Sequence, residues 1–372
     1  MSAQAEEIRE AVRRYAAEKL APHAARWDRE KEFPREALRG LAEMGLYGVA
    51  IAEEWGGAGM DYTALAVACE EVAAGDCATA TIVAVNNLVA GILAGYGSDA
   101  QKTRFLKPLA QGKMLGAFAL TEPQVGSDAS AITTRAERQG NEYVLNGVKQ
   151  FITSGKNADL AVVFAVTNKS AGKKGISAFL VPTSTPGYVV ARIEEKTGQR
   201  ASDTAQIVFE NCKTEHLLGE EGAGYRIALA NLESGRINVA AQATGVARAA
   251  LEAAVAYTRE RKSMGKTLIE HQAVNFRLAD MATQVEAARQ LYLHAARLRD
   301  AGQPCLKEAS MAKLFASEMA ETVCSDAIQV HGGYGYVADF PVERFWRDVR
   351  VTKIYEGAND IQRMVIGRAL EQ

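Results

Sequence analysis

Cysteine is sparse and unpatterned in this chain. Its five residues, Cys69, Cys77, Cys212, Cys305 and Cys324, are odd in number and form no CxxC or Cys/His ligand spacing. That excludes a disulfide framework or zinc module and fits a reducing, cytoplasmic setting. His23, His216, His271, His294 and His331 show no metal-ligand spacing either. Charge of one sign is also lacking. With a formal net charge of -2 there is no global basic field, so local pairs such as Arg13-Arg14 and Lys173-Lys174 are read as solvated surface and nucleic acid is not expected as a partner. No apolar run approaches the length of a membrane-spanning helix, and Glu6, Glu7 and Glu10 sit among the first basic residues, unlike a secretory or organellar signal. No membrane insertion is expected. Internal repeats, low-complexity tracts and long linkers are missing too, so the parts of the chain should pack as one unit.

What remains is a 372-residue chain, 48% hydrophobic and 24% charged, long enough for two or three packed domains. Residues 1–114 are Ala-rich with helical periodicity, broken by Pro22, Pro34 and the Trp55-Gly56-Gly57-Ala58-Gly59 turn. Residues 115–219 change to short β-prone runs, among them Tyr143–Leu145, Leu160–Val166, Ile176–Val181, Tyr188–Ile193 and Ala205–Phe209, separated by turn residues. Residues 220–372 return to helix over Asn231–Arg261, Gln272–Arg299, Leu306–Val330 and from Asp360. In the third of these, Met311, Leu314, Phe315, Met319 and Val323 recur at helical spacing, a face that a bundle should bury. The expected fold is α+β: an N-terminal helical domain, a barrel-like sheet domain and a C-terminal four-helix bundle.

Three stretches carry the chemistry. Lys353-Ile354-Tyr355-Glu356-Gly357 places a carboxylate between an aromatic wall and a flexible turn. Gln329-Val330-His331-Gly332-Gly333-Tyr334-Gly335-Tyr336 offers glycines whose amides can approach a phosphate or an adenine edge without a Cβ in the way. Leu120-Thr121-Glu122-Pro123-Gln124-Val125-Gly126-Ser127-Asp128 precedes both. Arg344 and Asp348, four apart on an expected helix, can be read as a structural ion pair. Together these stretches resemble the acyl-CoA dehydrogenase family, and the resemblance spans essentially the whole chain.

The resemblance implies an FAD enzyme that desaturates acyl-CoA thioesters, in which a carboxylate takes the α-proton while the β-hydrogen leaves as hydride. Glu356 is the base it implies. A free Glu titrates near ~4.3, and an apolar surrounding would raise that value. Phe118, Leu120 and Thr121 would line the flavin. Ser127 would donate to a phosphate beside the substrate. Phe151, where many members carry Trp, would cover the ring, and the Thr153 hydroxyl would meet its edge. In Arg261-Lys262-Ser263-Met264-Gly265-Lys266, Arg261 and Ser263 would hold the pyrophosphate of a neighbouring subunit's FAD, Met264 replacing a common Phe at the adenine. Gln272, Gln329 and Gly333 would complete that end. Arg261 equally reads as a helix-end charge. On the substrate side, Glu233 would meet pantetheine, Arg236 would lie near the thioester, and Tyr355 and Gly357 would flank the base. Some relatives carry their carboxylate at the position of Gly235 instead. Val125 stands where a smaller residue is usual, and Ala358 replaces a Thr. A homotetramer, built as a dimer of dimers, and an electron-transferring flavoprotein as acceptor are also implied. An oxygen-using acyl-CoA oxidase, a lyase with structural FAD and a non-catalytic scaffold are the alternatives.

Overall fold

The computed structural model describes residues 2–371. The N-terminal part holds α1 (Ala3–Tyr15), α2 (Ala21–Glu30), α3 (Arg35–Glu43), α4 (Tyr62–Gly75), α5 (Cys77–Tyr96) and the short α6 (Asp99–Gln101) and α7 (Lys107–Ala110). Pro22 opens α2 and Pro34 caps α3, where a missing N–H costs nothing. Asp61 and Asp76 cap α4 and α5 by accepting from Ala64 N and Thr79 N at 2.7 and 2.8 Å. Contrary to expectation, the 20-residue α5 is long and apolar enough to cross a membrane by length and composition. It is a core helix: Ala80, Ile82 and Val83 enter the helical core, while Val89, Ile92 and Leu93 enter the core beneath the sheet.

The middle part comprises β1 (Gly116–Ala119), β2 (Arg135–Gln139), β3 (Glu142–Thr153), β4 (Leu160–Val166), β5 (Ile176–Pro182), β6 (Tyr188–Ile193), β7 (Thr204–Thr214) and β8 (Leu217–Leu218). They pair in the order β6-β7-β3-β2-β4-β5-β8, with β1 parallel to β4. The end strands β6 and β8 are not paired, so the sheet wraps without closing into a barrel. β1 and β2 went unforeseen because neither carries an alternating apolar pattern long enough to see. Leu160, Val162 and Phe164 of β4 face the α5 side and Ala161, Val163 and Ala165 face a core shared with β3, β5 and β7. Burial on both faces makes that strand read as one continuous apolar run.

The last part contains α8 (Gly224–Glu260), the hairpin β9 (Lys262–Ser263) and β10 (Lys266–Thr267), α9 (Gln272–Asp300), α10 (Leu306–His331), α11 (Val342–Val349) and α12 (Asn359–Leu370). α8 packs against α4, α9 and α10. The expected buried face of α10 was drawn wrongly. Phe315 is 38% exposed and Met311 and Leu314 are half-buried, whereas Ala309, Ala312, Ala316, Ala320 and Ala327 are fully buried beside Met319 and Val323. Close approach to α8, itself Ala-rich, selects small residues at the contact, and the bulky ones turn outward. Lys313 and Ser317 are buried on that same face.

Candidate active site

Beyond α11 the chain makes a single turn, Arg350–Lys353, and enters a loop in which Glu356 and Gly357 both have left-handed backbone, φ 54 and 84. A non-glycine residue in that region costs roughly 1–2 kcal/mol, so the surroundings must hold it there. Gln362 Nε2 donates to the carbonyls of Glu356 and Gly357 at 3.2 and 2.7 Å. Lys313 Nζ donates to Gly357 O at 2.9 Å and to Asn359 Oδ1 at 2.8 Å, and Asn359 is tied to Ser317. Sequence reasoning missed Lys313, because its spacing among apolar neighbours is that of any solvated helix lysine.

This clamp aims the Glu356 carboxylate at α8. A Cβ built on Gly235 would stand 2.5 Å from Glu356 Oε2, so only glycine leaves room for the carboxylate there. Oε2 is buried and has no hydrogen-bond partner among the described residues. Burial pushes the Glu356 carboxyl up to about 7, against the pull of the Arg236 and Lys313 cations. Arg236 is buried on α8, donates to Ser310 Oγ at 3.1 Å and keeps a buried Nε with no partner among the described residues. Burial pulls Lys313 down to about 7, opposed by Glu356 and reinforced by Arg236. An unpartnered, desolvated carboxylate with a value near neutrality suits proton abstraction.

Tyr355 does more than form a wall. Its hydroxyl donates to Gln242 Oε1 of α8 and accepts from Gln199 Nε2 at 3.3 Å. Glu233 accepts from Cys305 Sγ at 3.2 Å. Arg344 and Asp348 are both buried on α11, yet no ion pair joins them among the described residues. Asp348 instead accepts from the backbone of Gln199, and burial lifts its carboxyl to about 7.

A cavity of about 80 Å³ opens beside the same turn of α8, lined by Tyr62, Leu65, Leu88, Ser234 and Asn238. Tyr62 closes it by donating to Ser234 O at 2.7 Å. Beyond it, past Leu65 and Asn238, lies a void of about 10 Å³ walled by Cys69, Val72 and Val83, room for one water-sized group.

The residues expected around FAD fall in two places. Phe118, Leu120, Thr121, Ser127, Phe151 and Thr153 belong to the sheet domain. Phe118 packs on Phe164, Leu120 is buried, Thr121 O accepts from Gln150 N at 2.8 Å, and Gly126 and Ser127 lie in an exposed loop. Phe151 stands with φ 59 and is 62% exposed, an aromatic face presented beside Thr153. A buried ion pair that sequence reasoning overlooked anchors this segment. Lys149, fully buried, donates to Leu120 O and to Glu122 Oε1, both at 2.9 Å, and Glu122 also accepts from Thr133 N and Thr134 N at 2.7 and 2.9 Å. Those donors hold the Glu122 carboxylate well below its usual range despite burial.

The second place is an open cavity of about 650 Å³ between the end of α8, the β9–β10 hairpin and the Gly332-Gly333 turn. Arg261, Ser263 and Gly333 line it, and nothing lies within 4 Å of a Cβ built on Gly333. A guanidinium, a hydroxyl and unobstructed amides form a donor set suited to a pyrophosphate. Met264, at the hairpin tip, is 92% exposed, and Gln272 and Gln329 are exposed on α9 and α10. No residue of the sheet domain lines this cavity.

Comparisons with known proteins follow the same three parts. Family models described as the acyl-CoA dehydrogenase N-terminal, middle and C-terminal domains match residues 2–113, 117–212 and 222–371. The short-chain specific acyl-CoA dehydrogenase of Rattus norvegicus mitochondria is 46% identical over 362 residues, 96% of this chain and 88% of its own. Butyryl-CoA dehydrogenase from Megasphaera elsdenii superposes with a TM-score of 0.98 at 41% identity, covering 100% of this chain and 99% of that one. A chain solved in work on the electron transferring flavoprotein of Acidaminococcus fermentans also reaches 0.98, at 44% identity, covering 100% and 98%. With all three domains matched and the relatives aligned nearly end to end, this chain belongs to the acyl-CoA dehydrogenase family, whose members are FAD-dependent oxidoreductases.

Proposed function

We propose that the protein oxidises short acyl-CoA thioesters to their 2-enoyl products, with Glu356 as the base and an electron-transferring flavoprotein as the acceptor. The observation that carries this reading is the Glu356 carboxylate, buried at Oε2, unpartnered and raised to about 7. When bound, FAD supplies the acceptor for the β-hydride. Glu356 takes the α-proton on its open carboxylate, and the apolar acyl chain excludes water from that carboxylate as it enters. Arg236 and Lys313 keep enough positive potential nearby for the carboxylate to be available near neutral pH.

A short acyl group is supported by the size of the chamber, about 80 Å³ closing onto a void of about 10 Å³ behind Leu65. The names of the short-chain specific relative and of the butyryl-CoA dehydrogenase neighbour agree with it. Supporting the acceptor is the neighbour solved in work on the electron transferring flavoprotein of Acidaminococcus fermentans. The separation of the two donor sets favours assembly into a homotetramer in which Arg261 reaches a neighbouring chain's FAD. The test is anaerobic mixing of the FAD-loaded protein with butyryl-CoA and longer thioesters. Flavin bleaching should be fastest with four-carbon or similar chains, and Glu356→Gln should slow it by roughly 100- to 10,000-fold. Fast bleaching only with long chains, or an unaffected Glu356→Gln, overturns the reading. Rapid turnover with oxygen and stoichiometric peroxide would make it an oxidase instead.

A further inference from the structure

The segment joining β6 to β7, residues 194–203, touches both halves of the site. At its centre Gln199 is 4% exposed and has left-handed backbone, φ 49. Its backbone N–H donates to the Asp348 carboxylate. Its side-chain Nε2 donates to Asp348 O at 3.1 Å and to the Tyr355 hydroxyl at 3.3 Å, and its Oε1 accepts from Thr81 of α5 at 2.7 Å. The Tyr355 hydroxyl donates to Gln242 Oε1, and Gln242 Nε2 donates to Cys77 O at 3.0 Å. One amide thus links α5, α11 and the residue next to Glu356, and through Tyr355 it reaches α8.

The other end of the same loop holds the flavin-side turn. Asp203 O accepts from Ser154 N at 3.0 Å, and its carboxylate accepts from Lys156 N and Asn157 Nδ2 at 2.8 and 2.9 Å. Ser154 directly follows Phe151, Ile152 and Thr153. Across the loop, Lys196 Nζ donates to Ser202 O at 2.7 Å. Gly198 presses against α11 so closely that a Cβ there would lie 2.3 Å from Arg347 O. The loop is therefore stapled within itself, seated on α11, and bonded at each end to a different part of the site.

We propose that Gln199 is a positioning residue and that this loop is a strut setting the spacing between Glu356 and the Phe151–Ser154 turn. The proposal rests on the assignment of Glu356 as base. Proton abstraction and hydride loss act on neighbouring carbons from opposite sides, so the base and the ring must keep one separation. A misplacement of about 1 Å can cost on the order of 100-fold. Every polar atom of the Gln199 amide is engaged, and an amide bonded on both sides within a buried site resists displacement.

Gln199→Asn tests this in the full-length, FAD-loaded protein. Asn tolerates left-handed backbone, but its amide is one methylene too short to reach Tyr355. Tyr355→Phe breaks the same link from the other side while keeping the ring. In both, FAD content, melting temperature and the dissociation constant for butyryl-CoA should stay within about twofold or a few degrees of the parent, while the single-turnover rate of flavin reduction falls about 10- to 100-fold. The double variant should be no slower than the slower single, because both remove one link. A Gln199→Asn protein that reduces its flavin at the parental rate overturns the proposal, as does a rate loss matched by loss of FAD or of thermal stability. Glu356→Gln separates the failures. If it is slow and Gln199→Asn is not, the strut alone is wrong; if Glu356→Gln is itself at the parental rate, the base assignment falls and the strut with it.

Discussion

Gly235 and Glu356 occupy one space. Helix α8 gives up a side chain at position 235, and the carboxylate from the loop before α12 fills the gap, Oε2 lying 2.5 Å from where a Cβ would stand. Gly235→Ala should displace the carboxylate, because the methyl group has backbone behind it and cannot retreat. We expect flavin reduction to slow about 10- to 100-fold with FAD content unchanged. Rapid-mixing absorbance at a saturating thioester concentration reads the effect, and an unaltered rate would show that the carboxylate works from another rotamer.

The raised Glu356 carboxyl has a sign that can be checked on stability. In the unfolded chain it titrates near ~4.3 and in the folded chain near 7, so over that interval the folded state binds more protons and stability falls as pH rises. Glu356→Gln removes this penalty. Without ligand the variant should match the parent near pH 4 and gain on it progressively up to about pH 7, by about 1–3 kcal/mol. Thermal or urea denaturation across that range is the measurement, and a constant difference at every pH would contradict the assignment. Flavin reduction in the parent should rise with a midpoint near pH 7, since only the deprotonated form of the folded enzyme accepts the α-proton.

Lys313→Met removes a cation that holds the Glu356 value down and leaves Gly357 O with Gln362 as its remaining side-chain donor. The midpoint of the pH–rate profile should move upward. A lower rate with an unmoved midpoint would mean that Lys313 acts through loop geometry alone.

Lys149→Met leaves the Glu122 charge buried without its counterion, and breaking such a pair costs about 3–5 kcal/mol. The double change Glu122→Gln with Lys149→Met should recover part of that loss. Differential scanning calorimetry of the three variants decides it, and equal instability of single and double variants argues against the pair.

Arg261→Ala should weaken FAD retention and assembly together, because charge-assisted bonds to pyrophosphate are stronger than neutral ones. Ultracentrifugation at low protein concentration, combined with flavin content, is the check. Intact assemblies with full flavin would reduce Arg261 to a helix-end charge stacked on Tyr334.

The fold was legible wherever periodicity is strong. The two-sided burial of β4, the long helices α8 to α10 and the sheet between helical parts all announce themselves in apolar spacing. Glu356 could be singled out as the candidate base because its neighbours form a specific string. Its support was not. Lys313, Lys149 and Gln199 are polar residues buried by partners far away in sequence, and a single chain of letters gives a buried lysine the same appearance as a solvated one. The face of α10 misled for a related reason, since hydrophobic size suggested Phe315 where close helix contact required Ala312 and Ala316.

The apolar helix α5 has a consequence for how the chain is made. The main core runs from Ala5 to Val349, and the partners that cover α4 and α5 include α8, which begins at Gly224. At about 5–20 residues per second, α5 leaves the ribosome on the order of ten seconds before α8 can shield it. Throughout that interval the face of α5 that packs on α8 lacks its partner, although α4 and β1 can already cover the rest. A product truncated before α8 would leave that apolar face exposed and would be prone to aggregate through it.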